Sequence, residues 1–225
     1  MSAAASISKV VNVKIISDVV WPFCFVGLRN LQKASETSGI AYKLEWEPFL
    51  LNSNLPPEGE DIKVHIGKKY GAGMAAQLDN PDNSIAKAGR AVGIQFNNKR
   101  NMYPTVQAHA LMEHIKKSDN TKANALMEIM YSEYFEKGEN INDVDVLTAL
   151  AGRVGVDKVQ AKAAIENQDL QAIVRKKDQT YKTQLRVSGV PYFIIEPNNG
   201  DRPIAFSGAQ PAEIIAEQLE TASEE

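Results

Sequence analysis

From Val10 to Ile16 the chain is rich in Val and Ile, and this predicts a buried strand. Pro22 then stands where the first turn of a helix tolerates a residue without an N–H. From Phe23 to Ser38 the apolar residues Val26, Leu28, Leu31 and Ala34 recur at helical spacing, and Gly39 supplies a C-terminal stop. In Ala41–Glu47, Tyr42, Leu44 and Trp46 alternate with Lys43, Glu45 and Glu47, the pattern of a strand with one buried face. The three segments form a β-α-β unit, which favours a parallel strand pair with a right-handed crossover.

The periodicity changes after a loop, Leu50–Gly59, that contains Pro56-Pro57. Helical patterns cover about 61–70, 84–92, 105–118, 121–137, 144–154, 157–167 and 170–186, separated by breakers. Leu126, Ile129, Met130, Tyr134 and Phe135 are spaced as one apolar helical face, read as core. Strand character returns at Tyr192–Ile195, turn chemistry follows at Pro197-Asn-Asn-Gly200, and Pro203–Phe206 is read as the hairpin partner. A helix from Gln210 to Thr221, with Pro211 in its first turn, closes the chain. The order is β-α-β, a helical block, then β-β-α. This is an α/β chain in which residues 10–50 and 187–222 form one layer and 60–186 an inserted helical lid.

Composition narrows the functional classes. A chain of 225 residues, 44% hydrophobic, supports a packed core with a large insertion. The net charge of −3 argues against an electrostatic nucleic-acid binder. Arg175-Lys176-Lys177 is read as a solvated helix face. No apolar run approaches the roughly 18 residues needed to span a bilayer, and Met1–Asp18 has no long apolar segment after a basic one. The expectation is an intracellular, cytoplasmic protein without membrane partners. A single cysteine, Cys24, fits a reducing compartment and forbids an intrachain disulfide. Ser223-Glu224-Glu225 is read as a frayed tail.

Several local signals carry little chemistry. Gly71-Ala-Gly-Met-Ala-Ala76 has the G-x-G-x-x-A form of a dinucleotide fingerprint but follows a helical pattern and not a strand, so it is read as a loop. His109 and His114 lie five apart on one helix and have no cysteine nearby, so no metal site is expected. His109 is read as structural, with a place lining the groove as the alternative, and Glu133, Glu136 and Glu139 as solvent-facing.

Four segments in order carry a resemblance: SDVVWPFCFVGLRNL, FLLNSNLPPEGEDIKVHIGKKYG, YFEKGENINDVDVL, and VSGVPYFII followed by AFSGAQPAEII. Together they resemble the DsbA-type thioredoxin-like family, in its FrnE-like branch, related to 2-hydroxychromene-2-carboxylate isomerases and kappa-class glutathione transferases. The resemblance covers nearly the whole chain. It implies a thioredoxin-like fold with a large all-helical insertion and thiol-disulfide oxidoreductase ancestry. It also implies a cis peptide at Val190-Pro191 facing the active-site helix, with Gly189 suited to a tight approach, and a homodimer as a candidate assembly.

The family pattern D-x-V-C-P-W-C places the attacking cysteine at position 21, where this chain has Trp21; Pro22, Phe23 and Cys24 match the rest. A dithiol cycle needs a low-pKa thiolate at the helix N-terminus and a second cysteine to resolve the mixed disulfide. Indole supplies no nucleophile, so that cycle is excluded. Three readings stay open. Cys24 is a catalytic monothiol or an inert buried thiol. Alternatively the groove runs a glutathione-dependent transferase- or isomerase-like reaction on a small apolar substrate, the resemblance implying contacts at Trp21, at Val190, and at a helix start formed by Ser207 and Gly208. Or it binds a thiol- or disulfide-bearing peptide without catalysis, through backbone pairing. Trp21 is either a plug or an apolar platform.

Overall fold

The computed structural model describes residues 9–224. Met1–Ser8 and Glu225, and the sequence readings that fall on them, lie outside these residues. Strand β1 (Val10–Ser17) is central and pairs in parallel with β2 (Ala41–Pro48) from Val10↔Ala41 to Ser17↔Pro48. Helix α1 (Pro22–Ser38) makes the crossover and ends at Gly39, whose φ of 71° is the left-handed conformation that glycine tolerates. Short strands β3 (Glu60–Asp61) and β4 (Asn101–Met102) pair antiparallel. Between them lie α2 (Ile62–Tyr70), α3 (Ala72–Gln77) and α4 (Ser84–Ala91). After β4 come α5 (Val106–Ser118), α6 (Asn120–Ser132), α7 (Val144–Arg153), α8 (Lys158–Glu166) and α9 (Gln168–Thr183). The chain closes with β5 (Tyr192–Glu196), β6 (Ile204–Ser207) and α10 (Ala212–Ala222).

The sheet order is β2-β1-β5-β6, with β5 antiparallel to β1 and β6 antiparallel to β5. This is the thioredoxin-like arrangement, a mixed sheet interrupted by helices α2–α9. Helices α1 and α10 pack together, while α5, α6 and α9 meet β2. The core of β1 and α1, including Val13, Ile15, Phe25 and Leu31, is fully buried. It is continuous with Tyr131, Tyr134 and Phe135 from the insertion.

A charged clamp joins the insertion to β2. The buried Glu47 carboxylate accepts from Lys177 Nζ at 3.0 Å and Tyr181 Oη at 2.7 Å, and Lys116 Nζ lies 3.0 Å away. Glu113 meets the same two lysines, at 2.9 Å and 3.0 Å. Two carboxylates facing two ammonium groups leave no uncompensated charge at this seam.

The structure corrects several sequence readings. Lys177 belongs to that clamp and not to a solvated face, because α9 turns it toward β2. Glu133 is buried and pairs with Lys137 and Arg153. Residues 72–77, within and just past the glycine-rich stretch read as a loop, form α3; Gly71, at φ 91°, breaks the chain direction ahead of it. The helix predicted over 121–137 ends in a π-helical turn, Glu133–Lys137. Pro211 caps α10 from outside its first turn. Ser223 is buried, with its N–H donating to Leu219 O, so the tail is anchored that far. Among the described residues no helix is long and apolar enough to cross a membrane.

Candidate functional site

The site is built where β1 ends. The chain turns at Asp18, and the Trp21 N–H donates to Asp18 O at 3.1 Å. Trp21 is the N-cap of α1, with extended φ/ψ of −98° and 116° and no side-chain cap. Pro22 has no N–H, and the Cys24 N–H donates to Trp21 O at 3.0 Å.

Cys24 lies one turn into α1 and is 0% exposed. Below it Ser17 Oγ and Tyr131 Oη share a hydrogen bond of 2.9 Å. Burial pushes the Cys24 thiol well above its ordinary value, and contacts with the Asp18 backbone, Ser17 and Tyr131 offset only part of this. Burial also raises the Tyr131 phenol. Of the two sequence readings of Cys24, its full burial favours the inert thiol over the catalytic monothiol. Neither the thiolate nor a path to it is provided, and both are needed for exchange.

Asp18 and His109 are 1% and 2% exposed. Asp18 Oδ2 accepts the Leu51 N–H at 2.7 Å. Asp18 Oδ1 lies 3.8 Å from His109 Nε2, too far for a hydrogen bond, and neither atom has another partner. His109 thus reaches from α5 to the floor of the site, which helical spacing alone does not reveal.

The Val190–Pro191 peptide is cis. The close approach to α1 is at Gly27, where a Cβ would stand 3.1 Å from Pro191 Cγ and 3.3 Å from Phe193 Cζ. Gly189 has open space around it, so the steric demand expected there falls on Gly27. Ser207 ends β6 opposite Tyr192. The Gly208 N–H is spent on Pro191 O at 2.8 Å. α10 starts only at Ala212, so Ser207 and Gly208 do not form the helix start expected of them. The Val190 N–H and C=O make no backbone hydrogen bond among the described residues.

A cavity of about 510 Å³ opens on the other side of Phe23. Trp21, Pro22 and Phe23 form one wall; Ile62, His65, Leu78 and Ile85 from the insertion are on the lining too, and so are Ile66, Lys69, Arg100 and Met102. The Trp21 and Phe23 ring centroids are 6.2 Å apart. Trp21 is thus part of a cavity wall and does not fill the space. Val190, Pro191, Ser207 and Gly208 are not part of this lining; Phe23 borders a separate cavity with Ala209, Pro211 and Ala212. The predicted site residues accordingly fall into two groups, one on each side of the α1 start.

The DSBA-like thioredoxin domain matches residues 12–220. The chain belongs to that family. YwbO of Bacillus subtilis (strain 168) is 28% identical over 191 residues, covering 82% of this chain and 86% of YwbO. A probable DsbA oxidoreductase of Streptomyces coelicolor, SCO1869, has a TM-score of 0.79 at 25% identity, covering 94% of this chain and 89% of that one. A 2-hydroxychromene-2-carboxylate isomerase shares the fold with a TM-score of 0.66 at 12% identity, covering 94% and 93%. Within this DSBA-like framework the chain has a single cysteine, which cannot close a dithiol cycle. Among the described residues no cluster of His, Cys, Asp and Glu could hold a metal ion. The cavity wall drawn from α2 and α4 is the part of the site that sequence reasoning missed.

Proposed function

We propose that this DSBA-like protein binds a small apolar molecule in the Trp21 cavity and runs no disulfide exchange through a cysteine of its own. The observation that carries the reading is the cavity. Its volume lies within the usual range for ligand sites, and its walls are mostly apolar with a few polar groups. A neutral apolar dye, Nile red, tests it by fluorescence titration. Wild type is expected to bind the dye, and Ile66→Trp, which puts a large ring into the cavity wall, is expected to abolish binding. Equal binding by the two proteins would refute the assignment.

Glutathione binding is a second reading, favoured by the free backbone groups of Val190. Such groups pair with an extended peptide backbone, so a thiol- or disulfide-bearing peptide is served by the same edge. Titrating reduced glutathione should shift the Val190 amide resonance; an unmoved resonance rejects this reading. The lone buried thiol requires no oxidising environment, which supports a cytoplasmic location.

A further inference from the structure

We infer that the ligand of the Trp21 cavity is a carboxylate with an apolar body, held through its charge by Arg100. This rests on the cavity being a ligand site and adds the chemistry of what it takes.

The chain carries more acids than bases, yet the cavity lining holds Arg100, Lys69 and His65 and neither Asp nor Glu. Arg100 is only 6% exposed. Its Nη1 donates to neutral acceptors, Asn97 O and Asn98 Oδ1. Its guanidinium carbon lies 5.6 Å and 5.2 Å from the ring centres of Tyr134 and Phe135. Nε is buried without a partner. No carboxylate pairs with Arg100 among the described residues, whereas Lys116, less deeply buried, meets both Glu47 and Glu113.

Leaving a buried cation uncompensated is costly unless a counter-charge arrives. Ring faces and carbonyl oxygens stabilise a guanidinium but do not neutralise it. The acids beside the lining segments are already engaged: Asp61 caps α2, Asp79 pairs with Lys63, Asp82 lies near Lys87 and Arg90, and Glu60 meets Lys68 and, at 2.9 Å, His65 Nδ1. That contact also fixes the His65 ring in the wall. A planar guanidinium offers paired N–H donors that match the two oxygens of one carboxylate. Trp21, Phe23, Ile62 and Met102 supply apolar surface for the rest of such a molecule.

Calorimetric titration with 6-phenylhexanoate and its neutral counterpart 6-phenylhexanamide tests the inference. The acid is expected to bind at least about tenfold tighter in wild type, since a charge-assisted hydrogen-bonded pair is worth at least that much. Arg100→Met should bring acid and amide to within about twofold, and Arg100→Lys should keep part of the preference. Should Arg100→Met fail to fold, the wild-type preference and its reduction in Arg100→Lys decide the matter. Equal wild-type affinities would overturn the carboxylate assignment while leaving the cavity a ligand site. Absence of binding by either probe, together with absence of Nile red binding, would overturn both. A preference that persists in Arg100→Met and vanishes in Lys69→Ala would overturn the role of Arg100.

Discussion

Alkylation of Cys24 puts the buried thiol to a quantitative test. Its side chain is fully buried beneath the start of α1, against the end of the central strand β1 and close to Tyr131. Exposing the sulfur means separating α1 from β1 and from the insertion, which amounts to dismantling the core. The labelling rate should therefore follow the global unfolding equilibrium. A domain stable by only about 5 kcal/mol spends on the order of one part in several thousand unfolded. Iodoacetamide at pH 8 should then label native protein on the order of 10³-fold or more slower than protein in denaturant. In the unfolded chain the thiol regains an ordinary pKa of about 8.5 and is partly ionised. Below the unfolding transition, the logarithm of the rate should rise with denaturant at the slope of the equilibrium transition. Mass spectrometry of timed aliquots measures both quantities. A native rate within tenfold of the unfolded rate, or a rate indifferent to denaturant, would show that small molecules reach Cys24 by local motion. Monothiol chemistry would then be restored to consideration.

The remaining predictions concern the two sides of α1 and the seam with the insertion. Trp21→Cys restores two cysteines at the spacing of the family motif, so insulin reduction should rise above a wild-type level indistinguishable from buffer; no gain would show that more than the missing sulfur blocks the cycle. Gly27→Ala gains up to about 1 kcal/mol of helix propensity. It also drives a methyl into Pro191 and Phe193, an overpacking cost of about 1–3 kcal/mol. Denaturant titration should find it neutral to about 2 kcal/mol less stable, and a stabilised variant would contradict the contact. Burial alone would push the Glu47 carboxyl up, but Lys116, Tyr181 and Lys177 together hold it below the usual range. Its stabilising contribution is thus present above the unfolded value of about 4.3 and is lost as pH falls through the lower folded value. Glu47→Gln should cost about 3 kcal/mol at pH 7 and show a shallower loss between pH 5 and 3, and parallel stability curves for the two proteins would refute the assignment.

Much of the fold was legible because its signals are local. The β-branched run of β1, the alternation in β2 and the Pro22 and Gly39 boundaries of α1 each specify an element without help from distant residues. The seven helical patterns also recur in the structure, within a few residues at their ends. What escaped depends on tertiary placement. Lys177 reads as solvated because its sequence neighbours are basic, and only the packing of α9 on β2 brings it to Glu47. The same holds for Glu133, whose partner Arg153 lies twenty positions away on α7. Gly27 stands in the motif-bearing segment SDVVWPFCFVGLRNL, but the close approach of Pro191 and Phe193 that leaves no room for a methyl there shows only in the structure. The degenerate motif was visible in the sequence, but the depth of Cys24 and the cavity beside Trp21 require coordinates. Two of the cavity walls come from α2 and α4, which begin 38 and 60 positions after Cys24.

The position of Trp21 links the loss of one chemistry to the gain of another. A thiolate at an N-cap draws on free N–H groups and accessible solvent. Here the indole supplies no anion to meet such groups, and the neighbouring wall is apolar. An indole at this place extends that wall by a large flat surface next to Phe23. Replacing a polarizable anion with such a ring removes the demand for donors at the helix end and leaves Arg100 as the buried positive group of the cavity. On the reading proposed above, charge recognition moves from the start of α1 to the insertion. A carboxylate-bearing ligand would meet its counter-charge there, while the thioredoxin-like half supplies rigidity and aromatic surface. If Trp21 and Arg100 act on one ligand, Trp21→Ala should weaken 6-phenylhexanoate and 6-phenylhexanamide by the same factor, because the ring contacts the apolar body common to both. Arg100→Met should weaken the acid alone. A Trp21→Ala effect confined to the acid would place the indole at the charged end and break this division of labour.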